Sequence, residues 1–236
     1  MKRDFFVFGG ISSLDYMMTI SEPAVFDKPV RDVEEIVVPG RSGSLVIDNG
    51  RYNNVSVTYK GQITREFTSR YDSLINKLTS LKGYHRLEDT IHQDVFRMAR
   101  YETGQQATLL RMFSAGSLDI KFSAKPQRYL KTGEMPIEFT ADGTVPNSTD
   151  MTALPLIRVY GTGVLGFGSE TITITSADEY TDIDCDAQEA FKGPVNCNGN
   201  IELSSGEFPE LPPGGAGISI GTGVTKVIVW PRWWIL

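Results

Sequence analysis

Apolar and polar positions alternate along most of this chain, but one segment shows a helical period instead. There the apolar residues recur at steps of three and four, at Phe67, Tyr71, Leu74, Leu78 and Leu81, with Ile75 widening the stripe. Ser69 and Asp72 form a capping-box pattern, and Gly83 follows the cationic last turn. The pattern predicts an amphipathic helix that follows Phe67.

Around this helix the pattern favours strands. Before it stand DVEEIVV and NVSVTYKGQI, the latter with alternating Val55, Val57 and Tyr59. After it stand HRLED, VFRMARY and LDIKFSA. Residues 1–140 are therefore predicted to be α+β, with one helix packed on a strand-rich scaffold.

Residues 151–236 show no helical period. They contain short β-like runs spaced by roughly ten residues and separated by Gly and Pro, which is typical of a small antiparallel β-sandwich or jelly roll. These runs are PLIRVYG, ETITITS, YTDIDCD, NIELSSG, GISIGTG and KVIVWPRWW. The predicted fold class is mainly β with one helix, an α+β unit followed by an antiparallel sandwich.

Charge separates the two parts of the chain. Residues 1–140 hold 19 basic and 17 acidic side chains and residues 141–236 hold 4 and 12, which together make the 23 and 29 of the chain. Such asymmetry indicates two separately built units. Residues 141–150, ADGTVPNSTD, are small, polar and turn-forming, so we predict domains at 1–140 and 151–236 with a linker at 141–150.

Composition excludes several classes of protein. A net charge of −6 argues against binding a polyanion by bulk charge. The N-terminal residues lack the apolar run of a secretory signal, and no stretch has the length of apolar sequence that a transmembrane helix needs. Without a secretion signal, Cys185 and Cys197 are expected to be buried reduced thiols, with a disulfide as the alternative.

Two motifs suggest ligand chemistry, but their contexts favour other interpretations. GTGVLG, residues 161–166, has dinucleotide-fingerprint spacing, yet an alternating strand follows it instead of a helix, so a turn between strands is favoured. Asp182, Asp184 and Asp186 have the spacing of a calcium loop, but Ala187 and Gly193 stand where an EF-hand needs glycine and glutamate. A solvated strand face is the favoured interpretation, and a surface cation site of another type is the alternative.

The remaining residues form no catalytic constellation. GRSGS lacks the second glycine and the strand–turn–helix setting of a nucleophile elbow. His85 and His92 lack zinc-ligand spacing and a nucleophile on which to act. We therefore predict no catalytic, cofactor or metal residues, and a structural or binding protein in place of an enzyme.

Several segments, in the same order over nearly the whole chain, resemble the distal tail protein (Dit) family of long-tailed bacteriophages, the siphoviruses. In the first part they are VPGRSGSLVIDNGRYNNVSVTY, GYHRLED, VFRMARY and FSAKPQRYLKTGE. In the second they are LPLIRVYGTG, ITITSADEYTDIDCDAQEAF, GEFPELPPGG and VIVWPRWW. The chain is thus similar to the ring component that caps the tail tube at its far end.

The resemblance implies a homohexameric ring at the phage tail tip, made in the host cytoplasm and incorporated in the virion. N-terminal domains would form the annulus, and C-terminal galectin-like or carbohydrate-module-like sandwiches would project outward. The implied partners are the tail tube protein, the tail-tip hub or tail-associated protein of the baseplate, and a receptor-binding protein. DNA would pass through the lumen without specific binding, and neither a cofactor nor membrane insertion is implied.

Two expectations concern particular residues. The loop Pro39, Gly40, Arg41, Ser42 and Gly43 is a candidate subunit contact, because an arginine on a glycine-flanked turn reaches a neighbour's carboxylate or carbonyls; an ordinary exposed turn is the alternative. The competing function is a carbohydrate-binding module for adhesion to the host surface. In it Trp230, Trp233 and Trp234 would stack on sugar rings, whereas filling of the sandwich core is the favoured role of these aromatics.

Overall fold

The computed structural model of the chain describes residues 3–21, 28–104, 107–110 and 114–236. Contacts divide it into two compact units, residues 1–128 with Leu236 and residues 129–235. The segment predicted to be a linker lies inside the second unit, because Gly143–Val145 is a strand and Asn147 is buried. The Asn147 amide donates to the carbonyls of Met151 and Leu211, so the small polar residues build a tight turn here instead of a free connection.

The described part of the first unit consists of antiparallel strands of two to sixteen residues and one α-helix. One antiparallel sheet has the order β2–β1–β7–β8–β10–β6–β3, with β9 also paired to β10. Among the residues that the structure describes, β4 and β5 pair only with each other. The elements are β1 (Phe6–Phe8), β2 (Ile11–Ser12), a 3-10 turn (Ser13–Tyr16), β3 (Met18–Ile20), β4 (Arg31–Val37), β5 (Ser44–Tyr52), β6 (Val55–Ile63), α1 (Phe67–Ser80), β7 (His85–Asp89), β8 (Val95–Tyr101), β9 (Ala107–Leu110) and β10 (Ala115–Leu130). The strands predicted from the sequence of this unit are confirmed.

Helix α1 confirms the predicted apolar stripe. Leu74 and Leu78 are fully buried, and Phe67 is nearly so. Gly116 on β10 makes room for the Phe67 ring, since a Cβ there would lie 2.5 Å from that ring. The predicted capping box is wrong: Glu66 is the N-cap residue in the left-handed region, and the Ser69 hydroxyl donates back to its carbonyl.

The core of the first unit is aromatic. The rings of Phe6, Phe8 and Tyr101 lie 4.8–5.9 Å from that of Phe122, and Phe6 stacks on Tyr59 at 5.0 Å. These residues come from β1, β6, β8 and β10, so the core ties together strands that are distant in sequence. Among the described residues, no helix has the length and apolar run needed to cross a bilayer.

The second unit consists of two antiparallel sheets, of order β11–β21–β13–β16–β17–β18 and β12–β20–β14–β15–β19. The elements are a 3-10 turn (Lys131–Glu134), β11 (Ile137–Phe139), β12 (Gly143–Val145), β13 (Leu156–Gly161), β14 (Gly163–Phe167), β15 (Glu170–Ile174), β16 (Tyr180–Asp184), β17 (Glu189–Lys192), β18 (Val195–Asn196), a second 3-10 turn (Asn198–Asn200), β19 (Ile201–Leu203), β20 (Ala216–Ile220), β21 (Val224–Trp230) and β22 (Trp234–Ile235). The predicted strands of this unit are also confirmed.

Both sheets of the second unit bury their side chains in one common core. Ile157 and Val159 of β13 are fully buried in it together with Leu165 of β14 and Ile172 of β15, which belong to the other sheet. The chain crosses between the sheets at Gly161–Gly163. A Cβ on Gly161 would lie 2.3 Å from the Gly223 carbonyl oxygen, so these glycines permit a close backbone approach.

Candidate subunit interface

The loop predicted as a subunit contact is the turn of the hairpin formed by β4 and β5. The strands pair in antiparallel register from Arg31↔Tyr52 to Val37↔Ser44. Gly40 and Gly43 have φ of 81° and 86°, and the Arg41 N–H donates to the Val38 carbonyl, so glycine is required for this reversal. All five residues of the loop are exposed, and the Arg41 side chain makes no ion pair among the described residues.

The hairpin strands were only half anticipated, because β4 was predicted and β5 was missed. The available signal was a pair of apolar runs, EEIVV and SLVI, flanking a Pro- and Gly-containing turn. The two strands expose apolar side chains on both faces of the hairpin. Val37 and Val46, at 80% and 55% exposure, lie on one face, and Ile36, Leu45 and Ile47, at 38–46%, lie on the other.

Charged residues at the base of the hairpin are paired with each other. Arg31 bonds to Asp48 across the strands, and Arg51 bonds to Asp32 at 2.6 Å. The hydrogen bond from Arg51 is the main cause that lowers the pKa of Asp32. Glu34 and Glu35, farther along β4, have no cation within ion-pair distance in the described residues, and Glu35 accepts only a hydrogen bond from Ser44.

The two histidines are held by hydrogen bonds within the first unit. The His85 ring bonds to the Lys82 carbonyl at 2.9 Å and lies edge-on to Phe8. The His92 ring and backbone N–H bond to Asp89, whose carboxylate also accepts a hydrogen bond of 2.7 Å from buried Tyr59. This group connects β6 with the end of β7, which is a structural role.

The pKa values of this buried group follow from its bonds. Burial raises the pKa of Tyr59 well above its usual value, and the neighbouring Asp89 charge adds to this rise. Burial alone would also raise the pKa of Asp89. The hydrogen bonds from Tyr59 and His92 outweigh burial, so the pKa of the Asp89 carboxyl is lowered.

Two of the three aspartates with calcium-loop spacing, Asp182 and Asp184, are bonded to arginines, and the prediction of a solvated face is wrong for Asp182. That residue is 4% exposed, and its carboxylate accepts two bonds of 2.7 and 2.9 Å from Arg158. Asp184 accepts two bonds from Arg232 at 2.7 and 2.8 Å. No group of three or more metal-ligating side chains occurs within the described part of the chain.

The cysteines are separate thiols buried in the core of the second unit. Cys185 follows Ile183 on the inward face of the chain, as the alternating pattern predicted. Burial is the main cause that raises the pKa of Cys185 to about 12, so the unreactive thiol form dominates near neutral pH.

The tryptophans proposed for sugar stacking are used inside the second unit. The Trp233 indole N–H donates to the Pro146 carbonyl and that of Trp234 to the Thr152 carbonyl, and both rings pack against the core. The Arg158 guanidinium lies 5.5 Å from the centre of the Trp230 ring. These contacts are those expected of aromatics that fill and brace the sheets.

Comparison with known proteins places this arrangement among solved structures. No protein-family model and no curated protein sequence matches the chain. The crystal structure of the SPP1 Dit (gp 19.1) protein, described as a paradigm of the hub adsorption apparatus in phages that infect Gram-positive bacteria, matches with a TM-score of 0.74 and 12% identity over 100% of both chains. A chain of the phage P2 baseplate in its activated conformation with Ca matches with a TM-score of 0.53 and 10% identity over 97% of both chains. The resemblance noted in the sequence is therefore confirmed for the fold: along its entire length, this chain has the fold of the SPP1 distal tail protein.

Proposed function

We propose that this chain is a structural protein of a bacteriophage tail tip, where it forms a homohexameric ring between the tail tube and the tail-tip hub. The observation that carries the proposal is the fold likeness to the SPP1 protein, which covers both chains completely. Likeness of one unit alone would support only a shared module. A match across both units, in one chain order, supports a shared role of the whole protein.

The two units divide the work in this proposal. The first unit, with 18 basic and 15 acidic residues, is close to neutral, so copies associate through it without strong repulsion. It forms the annulus. The second unit, in which two sheets bury one core, projects outward as a galectin-like β-sandwich. Its acidic surface keeps the particle soluble.

The proposed partners follow from this position in the virion. The ring binds the tail tube protein on one side and the tail-tip hub protein on the other, and a receptor-binding protein attaches at its periphery. DNA passes through the lumen without specific binding, which fits a chain with a net charge of −6.

The loop Pro39–Gly43 is the proposed point contact between subunits. Arg41 is exposed at the tip of the hairpin and makes no ion pair among the described residues, so its guanidinium is available to a carboxylate or carbonyl of the next copy. We expect Arg41→Ala to weaken assembly measurably. If this variant assembles as the wild type does, the loop is an ordinary exposed turn and not a subunit contact.

Native mass spectrometry of the purified chain, paired with negative-stain imaging, tests the ring. The expected result is a particle of six 26.1-kDa chains that appears annular in projection. Only monomer at micromolar concentration, or an open filament, would contradict the proposal.

A further inference from the structure

We infer that the first unit binds a small dissolved anion, of the size of chloride, in a cavity walled by Arg97 and Arg128. The inference goes beyond the proposed ring, because the site lies within a single chain. Three observations lead to it: a small cavity beside the aromatic core, a buried guanidinium donor without an acceptor, and positive charges that converge on the same place.

The cavity lies beside the aromatic core of the first unit. Four adjacent strands of one sheet supply its wall, with Tyr59 on β6, Leu87 on β7, Arg97 on β8 and Arg128 on β10. Arg97 is the direct cross-strand partner of Leu87, so both side chains lie on the same face of the sheet. The cavity has a volume of about 20 Å³, which is room for one group of the size of a water molecule or a monatomic ion.

Arg128 has one guanidinium donor that is not satisfied. Its Nη2 donates to the Leu236 carbonyl at 2.5 Å, but its Nε is buried and has no acceptor in the described residues. Most buried polar groups have a hydrogen-bond partner, so a buried donor without one indicates a bound water molecule or ion. A guanidinium is always charged, and a charged donor bonds most strongly to an anion. An anion therefore satisfies this Nε better than water does.

Three cations converge near the cavity. The pKa of Lys28 is lowered by burial and then by the charges of Arg128 and Arg97, so the three positive charges lie within electrostatic reach of each other. The Lys28 Nζ donates at 2.6 Å to the same Leu236 carbonyl that Arg128 binds. An anion in the cavity would relieve the repulsion among these like charges.

The carboxylate that lines the cavity, that of Asp89, is already in use. Its Oδ1 accepts hydrogen bonds from the backbone N–H groups of Ile91 and His92, and its Oδ2 accepts one from the Tyr59 hydroxyl. The His92 ring bonds to both oxygens. Because these donors occupy Asp89, a dissolved anion is the remaining source of negative charge for the Arg128 Nε.

The size of the cavity selects the anion. A volume of about 20 Å³ admits a halide ion, whereas a whole sulfate or phosphate ion is larger than this space. Chloride is therefore the probe for the site, and sulfate is the anion that should not enter it.

Thermal unfolding of the full chain over a chloride series that reaches saturation tests the site. Ellipticity at 222 nm follows α1, the α-helix of the first unit. Arg128→Gln removes the donor, and Arg65→Gln is the matched control, because it removes one positive charge at an exposed position of the same unit. Chloride at about ten times its dissociation constant should raise the unfolding temperature of the wild type and the control by about 4 °C or more, and that of Arg128→Gln by less than about 1 °C.

Sulfate at the same ionic strength separates binding from a general salt effect. Sulfate strengthens the burial of apolar surface in any protein, so a general effect would stabilise all variants alike and would be larger in sulfate. Binding instead gives a larger rise in chloride, and this rise depends on Arg128. Arg128→Lys keeps the positive charge but lacks the Nε donor, and we expect it to lose most of the chloride response as well.

Bromide locates the ion without any variant, because it replaces chloride and scatters X-rays anomalously. In wild-type crystals soaked in bromide we expect an anomalous peak in the cavity, in hydrogen-bonding contact with the Arg128 Nε. A cavity without this peak, or equal chloride responses of the wild type and Arg128→Gln, would overturn the inference. Neither result bears on the proposed ring, which native mass spectrometry tests separately.

Discussion

The Arg158–Asp182 pair offers a sharp test of what stabilises the second unit. Arg158 on β13 and Asp182 on β16 are direct cross-strand partners, and the guanidinium makes two parallel bonds to the carboxylate. The side chain of Asp182 is only 6% exposed. The guanidinium also lies 4.2 Å from the Tyr180 ring centre. Arg158→Ala would therefore leave a desolvated carboxylate without its cation.

The magnitude follows from burial. Removing one partner of a buried pair costs about 3–5 kcal/mol, because the remaining charge is uncompensated. Lys192 and Asp178 form the matched control near the same sheet, at 3.0 Å, but Asp178 is 97% exposed. Water already solvates that carboxylate, so we expect Lys192→Ala to cost less than about 1 kcal/mol.

Urea denaturation followed by tryptophan fluorescence measures both variants. The three tryptophans of the protein, Trp230, Trp233 and Trp234, all lie in the second unit, so their emission reports the unfolding of that unit. In a double-mutant cycle, Arg158→Ala with Asp182→Ala should cost about 2 kcal/mol less than the sum of the single changes. Equal losses for Arg158→Ala and Lys192→Ala, or strict additivity in the cycle, would refute the reasoning.

Three further predictions concern buried groups. Leu74→Ala should lower the free energy of unfolding by about 2–5 kcal/mol through lost burial and a residual cavity. Asn76→Ala, at an exposed position of the same helix, should lower it by well under 1 kcal/mol. Equal shifts of the melting temperature in far-UV circular dichroism would contradict the observed buried face of the helix. Asp89→Asn should lower stability near neutral pH by about 1–3 kcal/mol by weakening the bond from Tyr59. Because the pKa of Asp89 is lowered in the folded protein, the stabilisation by this carboxylate is complete above its unfolded pKa of about 4. This stabilisation is lost as the pH falls through the folded pKa. The urea midpoints of the variant and the wild type should therefore converge in acid, and a constant difference between them would contradict the prediction. Cys185 should react with a thiol reagent only at the rate of unfolding, and rapid labelling of the native protein at this residue would contradict its burial.

The sequence by itself determined the elements whose pattern is local. The period of three and four residues in α1 predicted its buried side, because that period repeats within one helix. Alternation likewise predicted β6, β13 and β16, with Ile183 and Cys185 facing inward. In both cases neighbouring residues along the chain carry the full signal.

Tertiary structure decided the features that depend on distant partners. Alternation placed Asp182 on the outward face, but only the pairing of β16 with β13 brings Arg158 against it and removes it from water. Composition suggested a linker at residues 141–150, whereas pairing of β12 with β20 places that segment within the second unit. The unit boundary falls instead between Arg128 and Tyr129, inside the continuous strand β10, where composition shows no break.

The candidate interface likewise has one part that the sequence predicted and one part that only the fold decided. The turn with its glycines and Arg41 could be predicted from the sequence, because a tight turn needs particular residues at particular positions. The apolar strands beside the turn look in sequence like any buried hairpin. Only the fold shows that, within the described residues, β4 and β5 have no third strand beside them and their apolar side chains are exposed. Burial is a property of what packs against a segment, and the sequence of that segment does not contain it.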